Sequence, residues 1–178
     1  MRAMGRMLTI MSGLAAVTMG SLALAAQEPV SALKGHDPDA PIDVSSQRIE
    51  VQDRADRAVF SGAVVARQGT LTLETARLTV AYTSADGLQI RRLDASGGVT
   101  VRSPSETARG DFGIYDLDRK LITLIGAVQL NRGGSQINGQ RLTIDMNSGR
   151  AVVDGGLRGI GQTGGRVTGH FTVPKRGN

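Results

Sequence analysis

Arg77-Leu78-Thr79-Val80-Ala81-Tyr82 and Arg141-Leu142-Thr143-Ile144-Asp145-Met146 carry one pattern: an arginine, then strict alternation of apolar with small or polar residues. Successive side chains of a strand point to opposite faces. Leu78, Val80 and Tyr82 therefore share one face, and Leu142, Ile144 and Met146 share another. Period two over six residues predicts strands with one apolar and one wetter face, not helices.

The same unit recurs along the chain. Arg48-Ile49-Glu50-Val51 and Arg166-Val167-Thr168 repeat the arginine half, with a degenerate copy at Arg109-Gly110-Asp111-Phe112. A second half, a small residue then glycine, appears at Ser61-Gly62-Ala63-Val64, Ser96-Gly97-Gly98-Val99, Ile125-Gly126-Ala127-Val128 and Asp154-Gly155-Gly156-Leu157. Between the halves lie Asp53-Arg54-Ala55-Asp56, Ser84-Ala85-Asp86-Gly87, Asp116-Leu117-Asp118-Arg119 and Asn147-Ser148-Gly149. Asp, Asn and Gly supply the positive-φ or locally hydrogen-bonded positions that tight turns need. Each repeat thus reads as strand, turn, and a second strand with a glycine in it, the glycine marking a bulge or bend. At the usual length of about 5–6 residues, roughly ten to sixteen strands fit. They are expected to form two antiparallel sheets with opposed apolar faces. The end repeats leave sheet edges open to pairing, unless Pro41 and Pro174 blunt them.

Composition agrees. The chain holds 24 glycines, 5 prolines, no Trp and no Cys, and only 3% of it is aromatic, so the interior is aliphatic. Lack of Cys excludes a disulfide framework, a thiol nucleophile and an acylated-Cys anchor. Arg2 and Arg6 precede an apolar run from Met7 to Leu24 that ends in Ala23-Leu24-Ala25. Residues 1–25 therefore read as a cleaved secretory signal. The run is also about long enough to span a bilayer as a retained anchor. Of 21 basic residues, loss of Arg2 and Arg6 leaves 19 against 16 acidic ones, a net charge of +3. The basic residues are scattered and no aromatics interleave with them, so nucleic acid is not an expected partner. Residues 26–40, with two prolines and no periodicity, read as a flexible linker. The domain is placed at 41–174 and a polar tail at 175–178.

The residues at this point resemble a known family. Pro41-Ile42-Asp43-Val44-Ser45-Ser46 looks like the opening strand of the OstA-like (LptA) lipopolysaccharide-transport proteins. The run from Phe60-Ser61-Gly62-Ala63-Val64 through Gln68-Gly69-Thr70 to Leu73 is similar to their most typical stretch, and Leu124–Val128 followed by Ile137–Thr143 resembles a later repeat. Arg166–Pro174 resembles the closing strand. The resemblance implies an all-β, taco-shaped β-jellyroll of repeated hairpins, with opposed sheets and exposed terminal edges. It implies a non-enzymatic periplasmic carrier that shields lipopolysaccharide acyl chains in an apolar slot and passes them from inner to outer membrane. It further implies head-to-tail self-association and partners of similar fold in both membranes. Combined with the alternation, it nominates Ile49, Val51, Phe60, Val64, Leu78, Val80, Ile122, Leu124, Leu142 and Ile144 as lipid-facing. Ile42, Val44, Phe171 and Val173 become partner-edge residues. The departures are the long segment before Pro41, the glycine-rich 155–165 and the scarcity of aromatics.

Other chemistry is weaker. His36 falls in the linker and His170 in a predicted strand, so no positioned base supports a triad. Gly159-Ile160-Gly161-Gln162-Thr163-Gly164 matches a dinucleotide fingerprint, but a strand pattern follows it instead of the required helix. Asp37-Pro38-Asp39 and Asp116-Leu117-Asp118 lack the glycine and distal Glu of a calcium loop and read as turn caps. No cofactor or metal is expected. Arg67, Arg91, Arg92 and Arg132 are candidate rim contacts for anionic head groups, with solubility as their plainer role. Two rivals stay open: a structural β-solenoid whose stripes are closed core, and the membrane-anchored member of the same system. An enzyme acting on envelope lipids lacks a nucleophile and a base.

Overall fold

A computed structural model describes residues 33, 36–84, 87–156 and 165–172. The expected signal (1–25), the Gly159–Gly164 motif, Val173 and the polar tail lie outside the described residues. The chain forms β1 (Ile42–Ser45), β2 (Arg48–Gln52), β3 (Arg57–Gln68), β4 (Leu71–Thr83), β5 (Gln89–Arg102), β6 (Glu106–Asp116), β7 (Leu121–Arg132), β8 (Ser135–Asp145), β9 (Arg150–Asp154) and β10 (Thr168–His170).

All ten strands belong to one antiparallel sheet. From β3 to β8 it is a simple meander, each strand pairing with the next. The strands are longer than a single-hairpin repeat suggests, up to 14 residues in β5. Each long strand passes through a register shift near its middle, at Ser61/Val64, Thr75/Arg77, Ser96/Val99, Arg109/Phe112 and Ile125/Val128. These shifts form a line across the sheet, and the sheet folds along it. The two opposed sheets of the expectation are therefore two limbs of one sheet. On one side of the fold, β2 and β9 flank the halves of β3–β8 that include the C-terminal end of β4, the N-terminal end of β5 and the turns at 117–120 and 146–149. On the other side, β1 and β10 flank the remaining halves. The first is called limb I and the second limb II.

Glycine makes the fold line. Gly62 and Ala63 both have positive φ (81° and 45°), as do Gly97 and Gly98 (86° and 83°) and Gly126 and Ala127 (82° and 41°). Two consecutive left-handed residues add an unpaired step and sharpen the bend. A Cβ on Gly62 would strike the Gln47 side chain, and one on Gly126 would strike Asp111. Glycine is required there by both conformation and space.

The turns match their residues. Asp56 takes φ 45° after a short 3-10 turn at Asp53–Ala55. Asp116 accepts the backbone N–H of Arg119 at 3.0 Å, which holds its carboxyl below the usual range. Asp116 therefore caps its turn. The core lies between the limbs and joins residues of both, including Leu78, Leu124 and Leu142 from limb I and Val64, Val99 and Val128 from limb II.

Leu33 and residues 36–40, part of the segment expected to be a linker, contact the sheet. Leu33 is 5% exposed and belongs to the core cluster. The physical reason is an apolar side chain together with carbonyls, those of Pro38 and Ala40, that satisfy the buried Gln68 amide.

Candidate functional site

The register gathers the lipid-facing candidates into rows. On limb I one inward row reads Ile49, Phe60, Leu78, Ala95, Gly113, Leu124, Leu142, Val153 across β2 to β9. The next inward row reads Val51, Ala58, Val80, Leu93, Tyr115, Ile122, Ile144, Ala151. All the nominated residues except Val64 fall on these two rows. Val64 faces them from limb II, where Val44, Ala66, Leu73, Val101, Ala108, Leu130 and Ile137 form an opposing row.

Along each row burial changes systematically. In the middle Leu78, Leu124 and Leu142 are 0% exposed, and Val64 and Ile144 are 1% exposed. Val80 and Ile122 are also buried. At the β2 end Ile49 and Val51 are more than half exposed, at 55% and 57%. Phe60 is half-buried between these extremes. The void between the limbs follows the same gradient. Among Leu71, Leu93, Val101, Gly113, Tyr115 and Leu124 only about 30 Å³ is open, about the share of one water. At the β2 end, Val44, Val51, Phe60, Val80, Leu88 and Ile90 surround a groove of about 360 Å³. At the β9–β10 end, Leu130, Ile137, Val153, Val167 and Phe171 border a groove of about 600 Å³. The site is thus an aliphatic interface between the limbs, close-packed in its middle, with a separate groove at each end of the sheet.

Small inward residues allow the close packing. Gly113 has no room for more: an added Cβ would meet Val99 at 3.1 Å and Leu124 at 3.2 Å. Alanines at 66, 95 and 108 let the limbs approach.

Among the described residues, Gln68, Thr75 and Glu106 are the buried polar side chains. Gln68, 4% exposed, uses its whole amide. Its Nε2 donates to the carbonyls of Pro38 (2.8 Å) and Ala40 (2.9 Å). Its Oε1 accepts the Tyr115 hydroxyl at 2.9 Å and stands 3.2 Å from His36 Nε2. Burial pushes the Tyr115 phenol up to about 12, so it stays a neutral donor. Burial also lowers His36 from its ordinary value, more strongly than the bond to Gln68 and the nearby Asp37 raise it. Glu106, 6% exposed, accepts the Leu33 N–H at 2.7 Å and pairs with Arg132 at 2.6 Å. None of Gln68, Tyr115, Glu106 or Leu33 is among the site residues expected from the sequence. A glutamate inside a strand pattern carries no mark of its burial.

The rim arginines differ. Arg91 is held by Asp118, with a 2.7 Å bond from its Nε, and Arg92 is held by Asp94 at 2.8 Å. Both are therefore already neutralised. Arg67 is exposed on β3. Of the edge candidates, Ile42 and Val44 are half-buried on β1 and pack against the core. Phe171 lies just beyond β10 and is 65% exposed. Among the described residues β1, β2, β9 and β10 each pair on one side only.

The chain is 34% identical over 152 residues, 80% of its length and 81% of the other's, to an uncharacterized protein of Rhizobium meliloti (strain 1021). Its fold matches the crystal structure of LptH from Pseudomonas aeruginosa with a TM-score of 0.64. That match covers 78% of this chain and 99% of LptH, at 19% identity. LptH is described as the LptA-homologous periplasmic component of a lipopolysaccharide-transport device. Residues 43–150 match the family described as LptA/(LptD N-terminal domain) LPS transport protein, and the chain belongs to that family.

Proposed function

We propose that the protein is a non-enzymatic periplasmic carrier that holds lipopolysaccharide acyl chains between its limbs and passes them along a row of like domains. The observation that carries this reading is the pair of unbroken apolar rows that run the length of the sheet and open at both ends. A closed core needs no exposed mouth at either end. An acyl chain gains about 0.8 kcal/mol per buried methylene, so a chain of about twelve carbons gains on the order of 10 kcal/mol. One-sided pairing at both terminal edges supplies backbone for a neighbouring strand, of a second copy or of an inner- or outer-membrane partner of similar fold.

The full burial of Leu78, Leu124 and Leu142 favours a second reading, a structural assembly module with a sealed core. Under the carrier reading the limbs part where they are close-packed. The test is gel filtration of the purified chain with lipopolysaccharide. Co-elution supports the carrier. Self-association without lipid uptake supports the module.

A further inference from the structure

Leu33 and residues 36–40 touch both limbs without joining either. Gln68 and Glu106 stand on limb II, at the end of β3 and the start of β6. Tyr115 and Lys120 stand on limb I, at the end of β6 and in the turn after it. Gln68 binds the carbonyls of Pro38 and Ala40, and Lys120 Nζ pairs with Asp39 at 2.9 Å. Glu106 holds the Leu33 N–H. The segment therefore lies across the long opening between the limbs, with Leu33 buried among the residues of the core.

The geometry points to a displaceable strap: Leu33 and residues 36–40 lie over the opening between the limbs, and an entering acyl chain takes the place of Leu33. This rests on the carrier reading above. Three observations support release. The described backbone bonds of the segment are local, His36 N–H to Leu33 O and Ala40 N–H to Asp37 O, and none extends the sheet. Its ion pair is exposed at Asp39 and holds weakly. The groove at the β9–β10 end is bordered by Glu106, which holds the Leu33 N–H, and by its ion-pair partner Arg132. Lipid entering there reaches the anchor of the strap first. A leucine is an apolar stand-in for part of an acyl chain, so the strap keeps the opening covered.

Hydrogen–deuterium exchange on the full chain, with and without lipopolysaccharide, tests this. The strap predicts that amides of residues 36–40 exchange at least about ten-fold faster when lipid is bound, while those of β4–β7 do not accelerate. It also predicts that Leu33→Ser binds boron-dipyrromethene-labelled dodecanoic acid several-fold tighter than wild type. Asp39→Asn, exposed and remote from the core, should shift binding less in the same direction with an unchanged melting curve. Lipid binding that leaves residues 36–40 unchanged or slower overturns the strap alone. So does a Leu33→Ser that is folded but binds no tighter. Failure of both lipids to bind any variant removes the carrier reading and the strap with it.

Discussion

At the scale of single residues, burial separates side chains that share a row. Leu142 is fully buried and Ile49, at the end of the same row, is 55% exposed. Leu142→Ala should cost about 2–5 kcal/mol in urea unfolding, because it removes packed methyl groups and leaves a cavity. Ile49→Ala should stay within about 0.5 kcal/mol, as surface changes do. The charged pairs split in the same way. Glu106→Gln should cost about 1–3 kcal/mol, since it leaves Arg132 facing a buried neutral amide. Glu74→Gln, whose partner Arg102 and own side chain are 43% and 47% exposed, should change stability by less than about 1 kcal/mol.

At the scale of elements, the fold line and the strap make separate claims. Gly126→Val meets both a left-handed backbone and the Asp111 side chain, and should cost about 2–4 kcal/mol. Gly98→Ala has the same sign of φ but open space around its Cβ, and should cost only about 1–2 kcal/mol. Paired melting curves of the two variants check whether space or conformation governs the bend. For the strap, His36 titrates below its ordinary 6.5 because burial disfavours the charged ring. Its contribution is fully present above about pH 6.5 and is lost as pH falls through the lowered value. Protection of residues 36–40, taken relative to the intrinsic exchange rate at each pH, should therefore fall from pH 7.5 to pH 5, and His36→Gln should flatten that dependence. The strands and turns were legible because alternation and glycine spacing are local signals. Their continuity was not. A long strand with a bulge at Gly62 or Gly126 reads as two short ones, since register across the bulge is set by the neighbouring strand. The strap was illegible for a related reason: Leu33 is one apolar residue in an aperiodic stretch, and its place is fixed by Glu106, 73 residues away.

At the scale of the whole molecule, stability should follow position in the sheet. Among the described residues, β4 to β7 pair on both sides, whereas β1, β2, β9 and β10 pair on one. Native-state hydrogen exchange should show the terminal strands opening well before the centre, which suits edges that take up partner strands. The inward rows were visible as alternation in the sequence. Whether such rows form a sealed core or a channel depends on how closely two limbs approach, and no local pattern encodes that distance. The most direct test of the channel is photo-crosslinking in cells, with a photoreactive residue at Phe60, Leu78, Leu142 or Val153 and at the non-row positions Thr79 and Thr143. The account predicts lipopolysaccharide adducts along the row and none at the two threonines. A folded, secreted protein with no lipid adduct at any row position would contradict it, and the rows would then be a sealed core.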